Sequence, residues 1–575
     1  MAAHAAGRRV VLTRRPIRRR LPVTAAGLAR LPPVLARVYA ARGVTDASEL
    51  DYALARMVPV RMLDGVEAAT DLLACHLDAG ERILVIGDFD ADGATSTALL
   101  VRLLRGLGAD VGYLVPDRVR HGYGLSPLLV REAAAGRPAL IVTVDSGINC
   151  HAGVALARQY GIAVLVTDHH LPGETLPDAD VILNPNLVGQ RFPSRCLAGV
   201  GVAFYLAASL ARRHTGTGRP AAALLDLVAL GTVADLVPLD ANNRILVERG
   251  LARIRAGDCR PGVTALLAAG GRDPAATTSA DLAFAAGPRL NAAGRLEDMS
   301  IGIECLLTDD PARACELAGA LSRINEERKS IEARMQEEAL AAVAGLEPDI
   351  DALPPVLCLH RPGWHPGVVG LVAARLRERF HRPAVAFASD GEGRLKGSAR
   401  SIAGLHMRDV LAAVDVRHPG LIERYGGHAM AAGVSLAADA LAAFDAALRD
   451  EVAARIDAAD LAGEIWSDGE LADGELDLAT AELLSGGGPW GQGFPEPLFD
   501  GRFDLLDSDV VGGLHLRLRL RPAGGSSIVQ GIAFRQADSF VGPRPELVHI
   551  AYRLGVNDYA GMRRAQLVVD YLEPA

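Results

Sequence analysis

The sequence predicts an α/β protein: a parallel-sheet domain, a long connecting helix, a second α/β domain and a small C-terminal β-barrel of the OB type. Three observations carry that prediction. Between about 66 and 240, apolar runs alternate with amphipathic segments, the pattern of βαβ units. From 311 to 343 apolar residues keep helical spacing, broken only where Arg328 takes one apolar slot. After about 462 the period changes to two, in several short segments.

The totals agree. The 575 residues are too many for one core. Half are apolar and 22% are charged, so the chain is globular throughout. No stretch approaches the ~20 uninterrupted apolar residues of a membrane span. The seven cysteines are scattered singly, with no C-x-x-C pair, which argues for a reducing cytoplasm and against a disulfide framework or zinc ribbon. The net charge of −9 counts against a nucleic-acid ligand only weakly, because local patches outweigh totals. Seven arginines and no acid occupy the first twenty residues; a frayed, solvated terminus is the expectation, with a phosphate-binding arm as the alternative.

In chain order, residues 1–65 form an N-terminal extension with short helical patterns. Residues 66–300 hold strands at 82–87, 110–115, 139–144 and 162–167, helices near 94–107 and 151–159, and a mostly helical stretch over 241–300. The apolar run Leu230–Asp235 is expected to be a fourth strand of the ligand-lining set. The segment 301–349 contains the long helix, with Leu317, Leu321, Ile324, Ile331 and Met335 on one stripe. Residues 350–460 hold strands near 355–359 and 383–387, and 461–575 is the barrel, opening with a Gly/Pro-rich stretch at 486–497.

Chemistry concentrates where the apolar runs of the first domain stop. Gly87-Asp88-Phe89-Asp90-Ala91-Asp92-Gly93, Asp145-Ser146-Gly147, Asp168-His169-His170 and Asp235 each follow such a run. In open α/β sheets the carboxyl ends of strands line the ligand crevice, so these groups are expected to converge. A lone Asp-x-Asp is usually a turn or a helix cap. Three carboxylates within five residues, joined by Asp145 and Asp235, repel one another unless a cation balances them. Oxygen ligands with one imidazole suit manganese or magnesium better than zinc.

These motifs resemble those of the DHH phosphoesterase superfamily: GDFDADG at 87–93, VDSG at 144–147, DHH at 168–170 and GTVADLVPL at 231–239. The resemblance continues in LAGVGVAFYL (197–206), GPRLNAAGRLEDMS (287–300), WHPGVVG (364–370), GRLKGSARS (393–401) and GGHAMAAG (426–433). One departure is Ile86, where many relatives carry a histidine. The resemblance implies a DHH catalytic domain, an α/β DHHA1 nucleic-acid-binding domain and an OB-fold DNA-binding domain. It implies a metal-dependent exonuclease that degrades single-stranded DNA 5′→3′ to mononucleotides in DNA repair and recombination. Asp90, Asp92, Asp145, His169 and Asp235 would hold one or two Mn2+ or Mg2+ ions, with Asp145 bridging and Asp88 supporting. His170 would lie beside the scissile phosphate, completing the catalytic set. Arg118, Ser398 and Arg400 would hold the 5′ phosphate, with Arg289 and Asn291 on the same path. Implied partners are single-strand-binding protein and a RecQ-type helicase, in the cytoplasm and without a membrane.

Two further features point to phosphate from the residues themselves. Lys396-Gly397-Ser398-Ala399-Arg400-Ser401 offers hydroxyls and two cations around a glycine, as a phosphate nest would; a solvated basic turn is the bland alternative. Gly426–Gly433, including Gly427 and His428, is expected to begin a small-residue helix whose N-terminus could take an anion, tight packing being the alternative. In the barrel, His515, Arg517, Arg519 and Arg521 alternate with leucines as a basic stripe for a strand backbone, and aromatics are scarce at 4%. Two competing functions are a phosphoesterase for short oligonucleotides, cyclic dinucleotides or pyrophosphate, and a non-catalytic replication scaffold. The barrel argues against the first and the complete set of acids against the second.

Overall fold

The structure is a computed structural model and describes residues 15–21, 25–118, 120–346, 353–391, 393–457, 460–461, 463–537, 544–559 and 562–575. The chain divides into two compact units. The first comprises Thr24–Glu326 and Ser485–Glu496; the second comprises Met1–Val23, Glu327–Leu484 and Pro497–Ala575. Strands are numbered along the chain from β1 (Ile17–Arg19), which belongs to the second unit.

The first unit is built on a parallel sheet of β2 (Ile83–Ile86), β3 (Val111–Leu114), β4 (Leu140–Val144), β5 (Ala163–Thr167) and β6 (Val181–Leu183), in the order β3-β2-β4-β5-β6. Every residue of β2 and β4 is buried, as expected of a sheet covered on both faces. Ile86 is fully buried in that apolar core and offers no ligand. Three of the four motif-bearing runs are therefore strands. The fourth is not: Leu225–Ala234 is a helix, and the expectation of a strand at 230–235 is corrected. Nine of its ten residues are buried, so the run shows no amphipathic period, and its length rather than its pattern marks it as helical. Gly231 lets it press on the Ala91–Gly106 helix, since a Cβ there would meet Thr95 Oγ1 at 2.2 Å.

Residues 485–496, expected at the start of the barrel domain, cluster with this unit instead. Trp490 and Phe494 stack with Tyr39, and the Arg244 guanidinium lies 4.3 Å over Phe494. The Pro311–Leu346 helix gives its first part to the first unit, burying Leu317 and Leu321, and its remainder to the second, burying Met335.

The second unit contains a five-stranded sheet and a barrel. Strands β7 (Leu357–His360), β8 (Ala384–Ser389), β9 (Arg394–Arg400), β10 (Arg424–Gly427) and β11 (Ala431–Ala437) run in the order β10-β11-β9-β8-β7. Two expectations fall here. Lys396–Arg400 is no turn but the middle strand β9, because Leu395, Gly397 and Ala399 bury one face. Gly426–Gly433 is no helix start but the β10–β11 hairpin; Gly427, at φ +132°, would drive a Cβ to 2.5 Å from Ala431 O. Small residues suit a hairpin packed at close range as well as a helix.

After β12 (Ile465–Ser467), the closed barrel is formed by β13 (Phe499–Val511), β14 (His515–Pro522), β15 (Val529–Ala533), β16 (Leu547–Tyr559) and β17 (Met562–Pro574), ordered β13-β14-β15-β17-β16. The alternation at 515–521 is borne out: Leu516, Leu518 and Leu520 are buried. Among the described residues no helix is long and apolar enough to cross a membrane.

The frayed N-terminus is corrected for residues 17–19, while 1–14 lie outside the described residues. β1 pairs in parallel with β12, and Arg19 grips the buried Asp500 carboxylate through Nε at 2.9 Å and Nη2 at 2.8 Å. Burial pushes the Asp500 carboxyl up, but hydrogen bonds from His549, Arg19 and Ser467 outweigh it and hold it far below the usual range. A carboxyl lowered in this way stabilises the fold above its unfolded pKa, near ~4, and loses that stabilisation as pH falls further. Arg19→Ala is therefore expected to cost about 1–3 kcal/mol, discounted for the half-exposed arginine. Hydrogen exchange should show lost amide protection at 465–467 and 499–504; unchanged protection there would contradict the latch.

Candidate metal centre

The site grows from three strand ends and one helix end of the first unit. After β2, Asp88 is buried and accepts a hydrogen bond from Phe89 N–H at 2.8 Å. Asp90 caps the Ala91–Gly106 helix, accepting from Gly93 N–H at 3.0 Å, so the ordinary capping role holds for one of its oxygens. Gly93 is required because a Cβ there would sit 2.5 Å from Asp88 N and O. Asp92 accepts from Gly199 and Val200 N–H, at 2.6 and 2.9 Å, at the positive end of the Gly199–Thr215 helix.

After β4, Asp145 takes a left-handed conformation, φ +59°, which costs energy in a residue with a Cβ. Gly199 makes room for it, since a Cβ there would stand 2.6 Å from Asp145 Cβ and Oδ1. After β5, Asp168 is wholly engaged. Its Oδ1 accepts from His169 N–H, His170 N–H and His170 Nδ1 at 2.7, 3.0 and 2.8 Å, and its Oδ2 accepts from Ile148 N–H at 3.0 Å. The amides of Asn184 and Asn186 hold the carbonyls of His170 and His169. Asp235 caps the carboxyl end of the Leu225–Ala234 helix, where a negative charge opposes the helix dipole.

These groups meet. His169 Nε2 lies 3.1 Å from Asp145 Oδ1, 3.6 Å from Asp235 Oδ2 and 4.0 Å from Asp92 Oδ2. Ligand atoms fall within 4.8 Å of one another in three sets: Asp92, His169 and Asp235; Asp88, Asp90 and Asp145; and Asp145, His169 and His170. Among the described residues, Asp145 Oδ1 and His169 Nε2 are buried with no hydrogen-bond partner. Two polar atoms left unsatisfied inside a ring of acids fit a divalent cation and little else.

The electrostatics agree. Burial and then neighbouring carboxylates push Asp88, Asp145 and Asp235 well above the usual range, and Asp92 up to about 7. Burial, then His170, lowers His169 to about 4, leaving a neutral imidazole able to ligate. Burial also opposes charge on His170, but its bond to Asp168 prevails and raises it, favouring an imidazolium.

Sequence reasoning missed Tyr123. Its hydroxyl donates to Asp145 O at 3.1 Å and lies 3.2 Å from His170 Nδ1, and its ring meets Phe89 and His170 edge-on. The signal was present in Gly122-Tyr123-Gly124, an aromatic between two positive-φ glycines. Arg118 lies 3.8 Å over the Phe89 ring and donates to Gly294 O.

Two residues expected on the DNA path are engaged elsewhere. Arg289 is buried and donates to Ser322 Oγ, Ala285 O and Ala269 O, so it braces helices rather than facing a strand. Asn291 Oδ1 accepts from Ala91 N–H at 2.8 Å and so steadies the Asp-rich loop. In the second unit, Lys396, Ser398 and Arg400 share one face of β9. Gly370, in the first turn of the Val369–Phe380 helix, lets that helix approach them: a Cβ there would lie 3.0 Å from Arg400 Nη2 and 3.4 Å from Ser398 Oγ. Gly427 and His428 sit on the adjoining hairpin, beside the Ala431–Arg400 pairing. The barrel stripe is not the acid-free groove expected. Arg517 pairs with Asp509 and Arg521 with Asp504, each at 2.7 Å, and Arg519 stands opposite Asp507. The acids come from β13, a neighbour invisible to a reading along β14 alone.

Comparison with known proteins agrees with this geometry. The chain matches the DHH family, N-terminal domain, over residues 82–232, the DHHA1 domain over 353–454 and the RecJ OB domain over 467–571. It is 53% identical over 556 residues to the single-stranded-DNA-specific exonuclease RecJ of Dickeya dadantii (strain 3937), covering 95% of this chain and 96% of that one. It is 51% identical to the protein of that name from Escherichia coli (strain K12), covering 97% and 98%. Among solved structures, RecJ from Thermus thermophilus in complex with Mn2+ superposes with a TM-score of 0.82 at 33% identity, covering 97% of this chain and 80% of that one.

The raised carboxyls set a pH dependence. Without metal, Asp92 stays protonated in the fold but ionises in the unfolded chain, so it stabilises at low pH and ceases to do so as pH rises through about 7; Asp88, Asp145 and Asp235 shift in the same direction. Mn2+ should therefore stabilise the metal-stripped protein, read as a rise in melting temperature, more at pH 8 than at pH 6, with a stabilisation approaching ~2.7 kcal/mol at a hundredfold excess over Kd. A metal-induced shift independent of pH would contradict the assignment.

Proposed function

This chain belongs to the DHH phosphoesterase superfamily as a single-stranded-DNA-specific exonuclease of the RecJ family, and from that premise we propose which of its residues do the work. The activity depends on a divalent metal. We propose that Asp90, Asp92, Asp145, His169 and Asp235 hold it, with Asp88 in support. The observation that carries this is the pair of unsatisfied buried atoms, Asp145 Oδ1 and His169 Nε2, among five clustered carboxylates. What a divalent cation supplies when bound is Lewis-acid activation of water and stabilisation of charge on the phosphoryl oxygens.

The chain's own groups supply the rest. His170, whose protonated form the Asp168 bond favours and whose ring Tyr123 touches, offers a donor to a phosphate oxygen. His169 stays neutral and ligates through Nε2, its backbone carbonyl fixed by Asn186. Arg118 is placed beside Asp88 and Asp90 by the face of Phe89, where it can hold the phosphate end of a strand.

Degradation proceeds 5′→3′ to mononucleotides in this proposal, because the second unit carries a site for a terminal phosphate. Ser398, Arg400 and the first turn of the Val369–Phe380 helix face one another, combining hydroxyl, guanidinium and helix N–H donors. Lys396, Gly427 and His428 border it. Roles in DNA repair and recombination, contacts with single-strand-binding protein and a RecQ-type helicase, and a cytoplasmic location complete the proposal.

Asp145→Asn should lower exonuclease turnover on single-stranded DNA with Mn2+ by at least ~100-fold, as loss of a group preorganised for transition-state charge does. Circular dichroism should be unchanged, and retained turnover would refute the site. Ser398→Ala with Arg400→Ala should reduce the preference for 5′-phosphorylated over 5′-hydroxyl strands by about tenfold or more. An equal loss on both strands would remove these residues from the 5′-phosphate role.

A further inference from the structure

The carboxylates of the metal centre are not held equally. Asp92 accepts two backbone N–H groups and Asp90 caps a helix. Asp235 has no such hold: among the described residues its carboxylate accepts no hydrogen bond, and His169 Nε2 stands 3.6 Å away. Its side chain is 21% exposed, against 2% for Asp145 and 0% for Asp92. It also ends the Leu225–Ala234 helix, where the dipole opposes its charge. Side-chain packing therefore leaves Asp235 loose, and its backbone must place it.

The backbone beyond Asp235 is stiff. Leu236 takes a left-handed conformation, φ +62°, although 66% of its surface is exposed. A residue with a Cβ stays in that region only where its surroundings enforce it. Val237 precedes a proline and is restricted to extended backbone, and Pro238 has a fixed φ. Three restricted residues thus join Asp235 to Leu239, which is buried. The far end is clamped on every polar group. Pro238 O accepts from Asn243 Nδ2 at 2.9 Å, Leu239 O accepts from Arg244 Nη1 at 3.0 Å, and Leu239 N–H donates to Gln492 O at 2.7 Å.

Gln492 comes from far along the chain. The chain leaves this unit at Glu326 and returns for Ser485–Glu496 before the barrel begins. The returning segment is fastened independently of the turn it meets. Ser279 Oγ donates to Trp490 O at 2.6 Å, and the Trp490 and Phe494 rings stack at 5.2 Å. Arg244 holds both partners, lying over Phe494 while it donates to Leu239 O. Close approach needs glycine on either side of Gln492. A Cβ on Gly491 would come 2.7 Å from Leu239 Cδ1, and one on Gly493, at φ +72°, would come 3.2 Å from Pro238 Cβ.

We propose that the Trp490–Phe494 segment is a strap that positions the metal ligand Asp235, by clamping the Leu236–Leu239 turn through Gln492. The proposal rests on the metal-centre reading above and adds positioning residues that lie more than 250 positions from the ligand they serve. Trp490, Gln492 and Gly493 act through Asp235 and touch no reacting atom. The chain that leads into the barrel thereby also sets one corner of the metal site.

The test measures Mn2+ binding to the metal-stripped full chain by calorimetry, without DNA, well below the melting temperature. Trp490→Ala, which removes the stack, and Gly493→Ala, which pushes on Pro238, should each raise the Mn2+ Kd about 10–100-fold, as loss of support behind a ligand does. Ser279→Ala removes only the bond to Trp490 O and should shift Kd in the same direction by less, so the test survives if a harsher variant fails to fold. Leu73→Ala opens a cavity in the Val66–Asp78 helix and serves as a matched loss of stability; its Mn2+ Kd should equal the parent's. Exonuclease turnover of the strap variants should return to the parent's value at saturating Mn2+. An unchanged Kd, a Kd raised as much by Leu73→Ala, or turnover that saturating Mn2+ leaves depressed would each overturn the strap. A parent that binds no Mn2+ would instead refute the metal centre itself, so the two ideas fail separately.

Discussion

The arrangement depends on one electrostatic constraint: Asp88, Asp92, Asp145 and Asp235 crowd a small, largely enclosed volume that cannot bear four negative charges unaided. Desolvation and mutual repulsion both act against ionisation there. Three local features keep the acids together regardless. The Gly199–Thr215 helix directs two N–H groups at Asp92; Gly93 and Gly199 leave space for carboxylates that any Cβ would displace; and Asp145 sits in a left-handed conformation. The N–H groups favour the charged form of Asp92, whereas the left-handed Asp145 and the crowding of acids cost energy that a bound cation would repay. The parallel sheet supplies the precision, because β2, β4 and β5 are adjacent and end at the same edge.

Much of this was legible along the chain, and what escaped did so for identifiable reasons. Buried parallel strands announce themselves as unbroken aliphatic runs, and β2, β4 and β5 were found within a residue or two. The same signature misled at 230–235, because a helix buried on all sides also lacks a period; the run begins at Leu225, and its ten residues exceed a usual strand. Lys396–Arg400 and Gly426–Gly433 looked like loop and helix because glycine, alanine and serine carry little strand propensity. Their partners decide otherwise: Phe387 packs against the bare Cα of Gly397, where a Cβ would come within 2.4 Å of the ring. Propensity yields to a tertiary neighbour that a single sequence does not reveal.

The charged residues teach a related lesson. Arg289 and Asn291 stand in a motif with obvious phosphate character, yet both are spent on the protein itself. The arginines of β14 look free in sequence and are matched across the strand by Asp504, Asp507 and Asp509, set by the β13–β14 register. A count of cations along one element overstates its field whenever the adjoining element is acidic. Arg19 and Asp500 show the opposite error, an apparently loose basic terminus fastened to a buried carboxylate.

The census of hydrogen bonds separates the roles of residues that look alike in sequence. Asp168 is as buried as Asp145 and follows the same kind of strand, yet its two oxygens accept four hydrogen bonds and its carboxyl falls below the usual range. It has no lone pair in want of a cation, so it acts on the neighbouring imidazole. Asp92 accepts two backbone bonds and retains capacity beyond them, since a carboxylate offers about four acceptor sites. Asp145 Oδ1 accepts none, and neither does the ring nitrogen 3.1 Å away on His169. The order Asp168, Asp92, Asp145 is thus an order of increasing unmet demand. A buried cation is drawn to the end of that series, because only there does binding both neutralise a charge and satisfy an atom that the protein leaves bare.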